Sequence, residues 1–291
     1  MREAQTMSDS LPVLWHLKPS HYNEKVRWAL DYKGIAHRRV HPMPGAHMLI
    51  ALALTRRVAT MPVLRLDGGR AIGDSTRIIA ALEERWPEPP LYPADPDERR
   101  TALALEDHFD ETLGPEVRRV GFFELFRAGD FVKKHAAEIS TPKQAKAFSS
   151  PLFKALTSRR YGVSEESARE GLMRVRSSMR KIEHLLDGGD YLVGGEFTIA
   201  DLTAAAMLAP LIVPPGLPYR NPAIASPPRL ARIESELRAM PAYRGHRFAQ
   251  PPANGCDPSR VVRRRDPVGR RQSGGVYPAG TRDVRPSVAG L

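Results

Sequence analysis

Cysteine is nearly missing from this chain: Cys256 is the only one among 291 residues. A single thiol cannot build an internal disulfide framework, and no Cys-x-x-Cys redox centre can exist. Long apolar runs are missing too. Met48 to Leu54 is too short, and Thr203 to Val213 is broken by Pro210, whereas a bilayer span needs ~20 apolar residues. No membrane partner is therefore expected. Met1 to Ser10 lacks an apolar signal core and reads as a loose leader, which argues against secretion and for cytoplasmic residence. The nine histidines are scattered, with no H-x-x-x-H pair on a helix face, so no metal site is expected. There is no internal repeat.

Acidic side chains are in deficit, 33 against 44 Lys and Arg, giving a formal charge of +11. The excess is not one patch. Residues 251–291 hold eight arginines and three aspartates, with one leucine and no Phe, Trp, Ile or Met. Such a Pro/Gly-rich basic tail buries too little apolar surface to fold and is expected to be disordered. It could anchor weakly to an acidic partner. Arginine and aromatic residues do not interleave there, so nucleic acid is not an expected partner. The remaining residues are only modestly basic.

What is present is a strand-to-helix turn. Leu11 to Leu17 reads as a buried strand. After it, Tyr22, Val26, Ala29 and Leu30 can share one helix face, and Gly34 sits at the C′ position. Ser20 thus stands at the positive end of a helix, a place suited to a bound anion. Met61 to Leu66 reads as a strand entered through Pro62. Asp67-Gly68-Gly69 reads as a hairpin turn, and Arg70 to Gly73 as the returning strand. Asp74-Ser75-Thr76 then caps a helix carrying Ile78, Ile79, Leu82 and Trp86. This is the element order of a thioredoxin-type half-domain.

The expected organisation is a leader at 1–10, a thiol-binding domain at 11–86 and a proline-dense linker at 87–94. An all-helical domain at 95–249 and the tail at 250–291 follow. In the second half, Asp95-Pro96-Asp97-Glu98 reads as a helix start, and Gly114-Pro115 should kink or break that helix. Lys133 to Arg160 is polar, with no clear pattern. Ser164 to Leu186 reads as a long helix ended by Gly188-Gly189. Thr198-Ile199-Ala200-Asp201 has capping-box spacing before an apolar helix. Ser226-Pro227-Pro228 opens a last helix, which Met240-Pro241 stops.

Four of these pieces, in this order, carry a resemblance: Ser20-x-x-x-x-Lys25-Val26-Arg27-x-Ala29-Leu30, Met61-Pro62-Val63-Leu64, Asp74-Ser75, and Phe197-Thr198-Ile199-Ala200-Asp201-Leu202. With them the chain resembles cytosolic glutathione S-transferases from about Leu11 to Phe248. The resemblance implies an α/β thioredoxin-like N-terminal domain followed by an all-α helical-bundle domain. It also implies a homodimer. It makes Ser20 the catalytic hydroxyl, with Tyr22 and Asn23 as possible alternative donors. It gives Met61, before an expected cis Pro62, the cysteinyl backbone of glutathione. Ser75 and Asp74 would meet the γ-glutamyl carboxylate and ammonium.

Glutathione or another low-molecular-weight thiol is then the expected co-substrate, and a small electrophile the second substrate. A free thiol has a pKa of about 8.5. One hydrogen bond to an anion contributes ~1.5–3 kcal/mol and a helix terminus ~0.3–1 kcal/mol, enough together to make thiolate the major form. Plain helix capping is the competing role for Ser20 and for Asp74-Ser75. Two departures stand out. His21 replaces the family's usual proline and is expected to face solvent. Leu54 to Thr60 replaces an Asn-Pro-x-Gly-type turn, leaving Arg56, Arg57 or His47 for the glycyl carboxylate. His16, Lys18, Asp107, His108 and Phe122 are candidate liners of the electrophile pocket. The alternative is a non-catalytic binding or scaffold protein on the same fold, using its basic tail for partners.

Overall fold

A computed structural model describes residues 11–43, 45–66, 69–129, 150–214, 217 and 226–245. The leader, the Asp67-Gly68 part of the hairpin turn, Lys133 to Ser149 of the polar stretch, and the 250–291 tail with Cys256 lie outside the described residues.

The first half follows the expected order: β1 (Val13–Trp15), α1 (His21–Tyr32), β2 (Arg38–Val40), α2 (Ala46–Thr55), β3 (Val63–Arg65), β4 (Ala71–Gly73) and α3 (Ser75–Arg85). The sheet order is β2-β1-β3-β4. β1 runs parallel to β2 and antiparallel to β3, and β3 pairs antiparallel with β4. Strand periodicity splits the apolar residues between two faces. Leu14 and Leu64, in register, join the main core with Val26, Leu30, Ile78, Ile79 and Leu82. Val63 and Ala71 turn the other way and pack with Ala51 of α2 and with Met61.

From Pro96 onward every element among the described residues is helical: α4 (Pro96–His108), a π-helical turn (Phe109–Leu113), α5 (Gly114–Arg127), α6 (Pro151–Tyr161), α7 (Glu165–Leu186), α8 (Ile199–Ile212), α9 (Pro228–Ala239) and α10 (Pro241–Gly245). Local signals place their starts. Asp95 accepts from the Asp97 and Glu98 amides, with Pro96 at N1, and Ser164 caps α7. Asp201 accepts from the Leu192 amide at 2.8 Å and the Thr198 amide at 2.9 Å, closing the capping box of α8. Helix α8 is apolar and buried on almost every side, which places it at the bundle centre, where α1 packs against it.

As Gly114-Pro115 suggests, the regular α-helix is interrupted: α4 ends at His108, the π-helical turn follows, and α5 begins at Gly114 with Pro115 in its first turn, where its missing N–H costs nothing. Gly114 is required for another reason. A Cβ there would lie 2.5 Å from Tyr22 Oη and 2.9 Å from Met207 Sδ.

The proline-dense stretch after α3 is pinned by side chains of the first half. Lys33 Nζ donates to the Trp86 and Pro89 carbonyls, at 2.8 Å each, and pairs with Glu83 at 2.5 Å. Glu83 in turn accepts from the Leu91 and Tyr92 amides.

Candidate active site

Helix α1 carries the first piece of the site, sandwiched between the sheet and α8. That sandwich buries residues that a one-faced helix would expose: Asn23, Glu24, Lys25 and Arg27 are all buried. Arg27 ties down the β1–α1 loop. It reaches the Leu17 carbonyl at 3.3 Å and the Lys18 carbonyl at 3.1 Å, and pairs with Glu24. Its Nη1 also donates to His16 Nδ1 at 2.8 Å. Burial, then the Arg27 charge, holds the His16 pKa well below the ordinary histidine value, so the ring is neutral and accepts.

Ser20 ends that loop at the N-cap position of α1, half-buried, with φ −90° and ψ 124°. Its side chain does not cap the helix. Instead Asn23 Nδ2 donates to Ser20 Oγ at 2.7 Å and to the Met61 carbonyl at 3.3 Å, while Asn23 Oδ1 accepts from the Leu17 amide at 3.1 Å. One buried amide thus gathers the first loop, Ser20 and the proline loop. The Met61-Pro62 peptide is cis. The Met61 amide has no hydrogen-bond partner among the described residues, so it is available to an extended ligand.

Asp74 and Ser75 stand at the start of α3. Asp74 has a positive φ of 82° and accepts from the Arg77 amide at 3.2 Å. Ser75 is buried, and its hydroxyl makes no hydrogen bond among the described residues. An unpaired backbone N–H beside a cis proline, a free hydroxyl at a helix N-terminus and a carboxylate next to it suit a γ-glutamyl peptide. Of the residues expected near the glycyl carboxylate, Arg56 and Arg57 are exposed, and His47 Nδ1 accepts from the Gly45 amide.

His21 corrects an expectation. It is 5% exposed, covered by Tyr22 at a ring separation of 4.5 Å and set against Gly114. Burial, then the Arg118 charge, lowers its pKa to about 3. The proximity of the bundle to the first turn of α1 explains this: position N1 of an isolated helix would be wet. Tyr22 packs as expected, and its hydroxyl also donates to the Asp110 carbonyl at 2.7 Å. Burial raises the Tyr22 pKa to about 12, so the phenol stays protonated. Of the proposed pocket liners, His16 is fully buried behind Arg27, Asp107 is exposed, Lys18 and His108 are half-buried, and Phe122 stacks on Tyr161.

Between the halves lies a charge cluster. Lys25 Nζ sits 2.7 Å from Glu106, 2.5 Å from Asp110 and 3.4 Å from Thr76 Oγ1, and Thr76 also donates to Asp110 at 3.1 Å. Burial raises the pKa of both carboxylates, against the Lys25 charge. The sequence held a signal for this cluster. Glu106 shares a helix face with Leu103 and Phe109, and a carboxylate on an apolar face calls for a buried cation.

Sheet order, cis-proline loop and helical second half together define a thioredoxin-like protein with an appended helical domain. Residues 14–90 match the model for "Glutathione S-transferase, N-terminal domain", and residues 165–233 that for "Glutathione S-transferase, C-terminal domain". The chain belongs to the glutathione S-transferase family. Glutathione S-transferase TCHQD of Arabidopsis thaliana is 28% identical over 246 residues, 79% of this chain and 87% of that protein. Glutathione S-transferase D7 of Drosophila melanogaster is 25% identical over 152 residues, 52% of this chain and 51% of that protein. Beta-etherase LigF from Sphingobium sp. strain SYK-6 shares the fold, with a TM-score of 0.54 at 24% identity over 81% of this chain and 98% of that one. Among the described residues no helix is long and apolar enough to cross a membrane.

Proposed function

We propose that the protein is a thiol transferase in which Ser20 steadies the thiolate of glutathione, or of a related low-molecular-weight thiol, for attack on a small electrophile. The bound thiol supplies the nucleophile. The observation that carries the reading is the 2.7 Å bond from Asn23 Nδ2 to Ser20 Oγ. Because Asn23 fills an acceptor site of the hydroxyl, the hydrogen of Ser20 is left to donate to a sulfur anion at the helix end. Met61 would pair with the cysteinyl backbone, Ser75 would donate to the γ-glutamyl carboxylate, and Asp74 would face its ammonium. Tyr22, tied to Asp110 and held protonated, is the poorer donor. On family grounds the protein would act as a homodimer in the cytoplasm.

Thiol binding and conjugation of 1-chloro-2,4-dinitrobenzene, compared between wild type and Ser20→Ala, test this. Ser20→Ala should retain thiol binding and lose roughly 10–100-fold in kcat/KM, the worth of one hydrogen bond to an anion. Absence of thiol binding by either protein overturns the reading.

A further inference from the structure

Arg118 on α5 differs from most of the arginines around it, and shares the Tyr161 ring with Arg160, whose guanidinium carbon lies 5.7 Å from the ring centre. Arg119, Arg127, Arg174 and Arg176 each engage a carboxylate. Arg118 has neither an ion pair nor a hydrogen bond among the described residues, and its Nε is buried without a partner. Two aromatic rings hold it instead. Its guanidinium carbon lies 4.4 Å from the Tyr161 ring centre and 5.7 Å from that of Tyr22. Phe122, one helical turn on, stacks on Tyr161 with centroids 5.8 Å apart and planes within 11°. Cation–π contacts hold a guanidinium by its face and leave its N–H fork unsatisfied.

The position matters as much as the chemistry. Tyr22 is two residues from Ser20, and Arg118 is close enough to depress the pKa of His21, the residue next to Ser20. His21 Nε2 is itself buried without a hydrogen-bond partner. With its pKa lowered to about 3 the ring is neutral, so it adds a polar atom but no second charge. A cation with an open planar fork and stacked rings beside it thus stands next to the turn that carries the proposed nucleophile site.

We infer that Arg118, with Tyr22, Phe122 and Tyr161, forms the electrophile site and selects an aromatic substrate bearing a carboxylate. The inference rests on the transferase reading for the chemistry, although not for the binding. The fork of Arg118 matches a carboxylate in bidentate fashion, which the point charge of a lysine does not. Tyr161, Phe122 and Phe126 stack in a row beside the guanidinium, an aromatic wall whose ring edges can meet a substrate ring. In an aryl halide of this class, the thiolate sulfur forms a C–S bond at the ring carbon that carries the halogen. The C–halogen pair then leaves as halide.

The test uses the full chain and two matched pairs of ligands. Calorimetry compares unreactive 2,4-dinitrobenzoate with its neutral amide. Turnover with glutathione compares 4-chloro-3,5-dinitrobenzoate with its amide. Wild type should bind the carboxylate about tenfold more tightly than the amide, as a charge-assisted bond implies. Arg118→Gln should erase that preference while leaving amide affinity within about twofold, and Arg118→Lys should restore part of it. Equal affinity of wild type for the two ligands overturns the inference. So does a parallel loss of both ligands in Arg118→Gln and Arg118→Lys, which would make Arg118 only a structural staple. Carboxylate preference without turnover would sink the transferase reading and leave the anion site standing.

Discussion

Asn23 holds Ser20 by its oxygen, leaving the serine hydrogen uncommitted. Exchanging the amide for a carboxylate reverses that bond: in Asn23→Asp the serine would donate to the new side chain, and the Met61 carbonyl would lose its donor. We expect the variant to lower kcat more than it changes KM for the thiol and to move the acidic limb of the kcat/KM profile to higher pH. We also expect a stability loss of about 1–3 kcal/mol. A pH–rate profile alongside urea unfolding checks both; an unmoved limb would show that Asn23 does not set the serine.

Lys25 neutralises the buried Glu106 and the half-buried Asp110 from the other half of the molecule. Lys25→Met should cost roughly 3–5 kcal/mol, since it strands uncompensated charge. Adding Glu106→Gln and Asp110→Asn to Lys25→Met should recover much of that loss. Urea unfolding of the single and triple variants decides the matter, and additive losses would rule out the pairing.

The buried His21 makes stability depend on acid. Its folded pKa, about 3, lies below the ordinary 6.5, so the unfolded chain binds the proton more readily in between. Stability from this group is complete above 6.5 and is lost as pH falls towards 3. Between pH 6.5 and about 5 the loss should amount to about 2 kcal/mol. His21→Gln should show a flatter stability curve over that window. An identical slope in wild type and variant would mean that the ring is solvated.

Gly114 admits the Tyr22 ring into the helix junction. Gly114→Ala should destabilise by about 1–3 kcal/mol through overpacking. In a Tyr22→Phe background the same change should cost less, because the nearest clashing atom is the phenol oxygen, 2.5 Å from the added Cβ. A double-mutant cycle reads the coupling, and strict additivity would place the strain elsewhere.

Elements whose signals are local could be read along the chain. Asp95-Pro96, Ser164 and the Thr198–Asp201 box each start a helix at the expected residue, since a cap is satisfied within one turn. The thioredoxin-type element order was legible from the local patterns, whereas the cis bond at Pro62 followed from the family resemblance. What escaped depends on distant partners. His21 looked exposed because nothing in Ser20 to Leu30 reveals that α5 covers the first turn. That the Ser20 side chain leaves α1 uncapped was hidden too, because Asn23, which donates to its oxygen, also holds the Met61 loop, some 38 residues away in sequence. Gly114-Pro115 marked the interruption between α4 and α5, but composition could not announce that a π-helical turn makes it. Arg118 passed unremarked because an arginine in a helix is ordinary until its neighbours are known to be rings.

The position of Lys25 also limits how the protein can be handled. Its counterions, Glu106 and Asp110, are more than 80 residues downstream. A fragment cut in the linker would therefore present to water a lysine shaped for an anionic socket, along with the flank of α1 that α8 normally covers. Such a piece should be insoluble or misassembled when expressed alone. Swapping either half with that of another family member should succeed only when the donor carries matching acids at the seam.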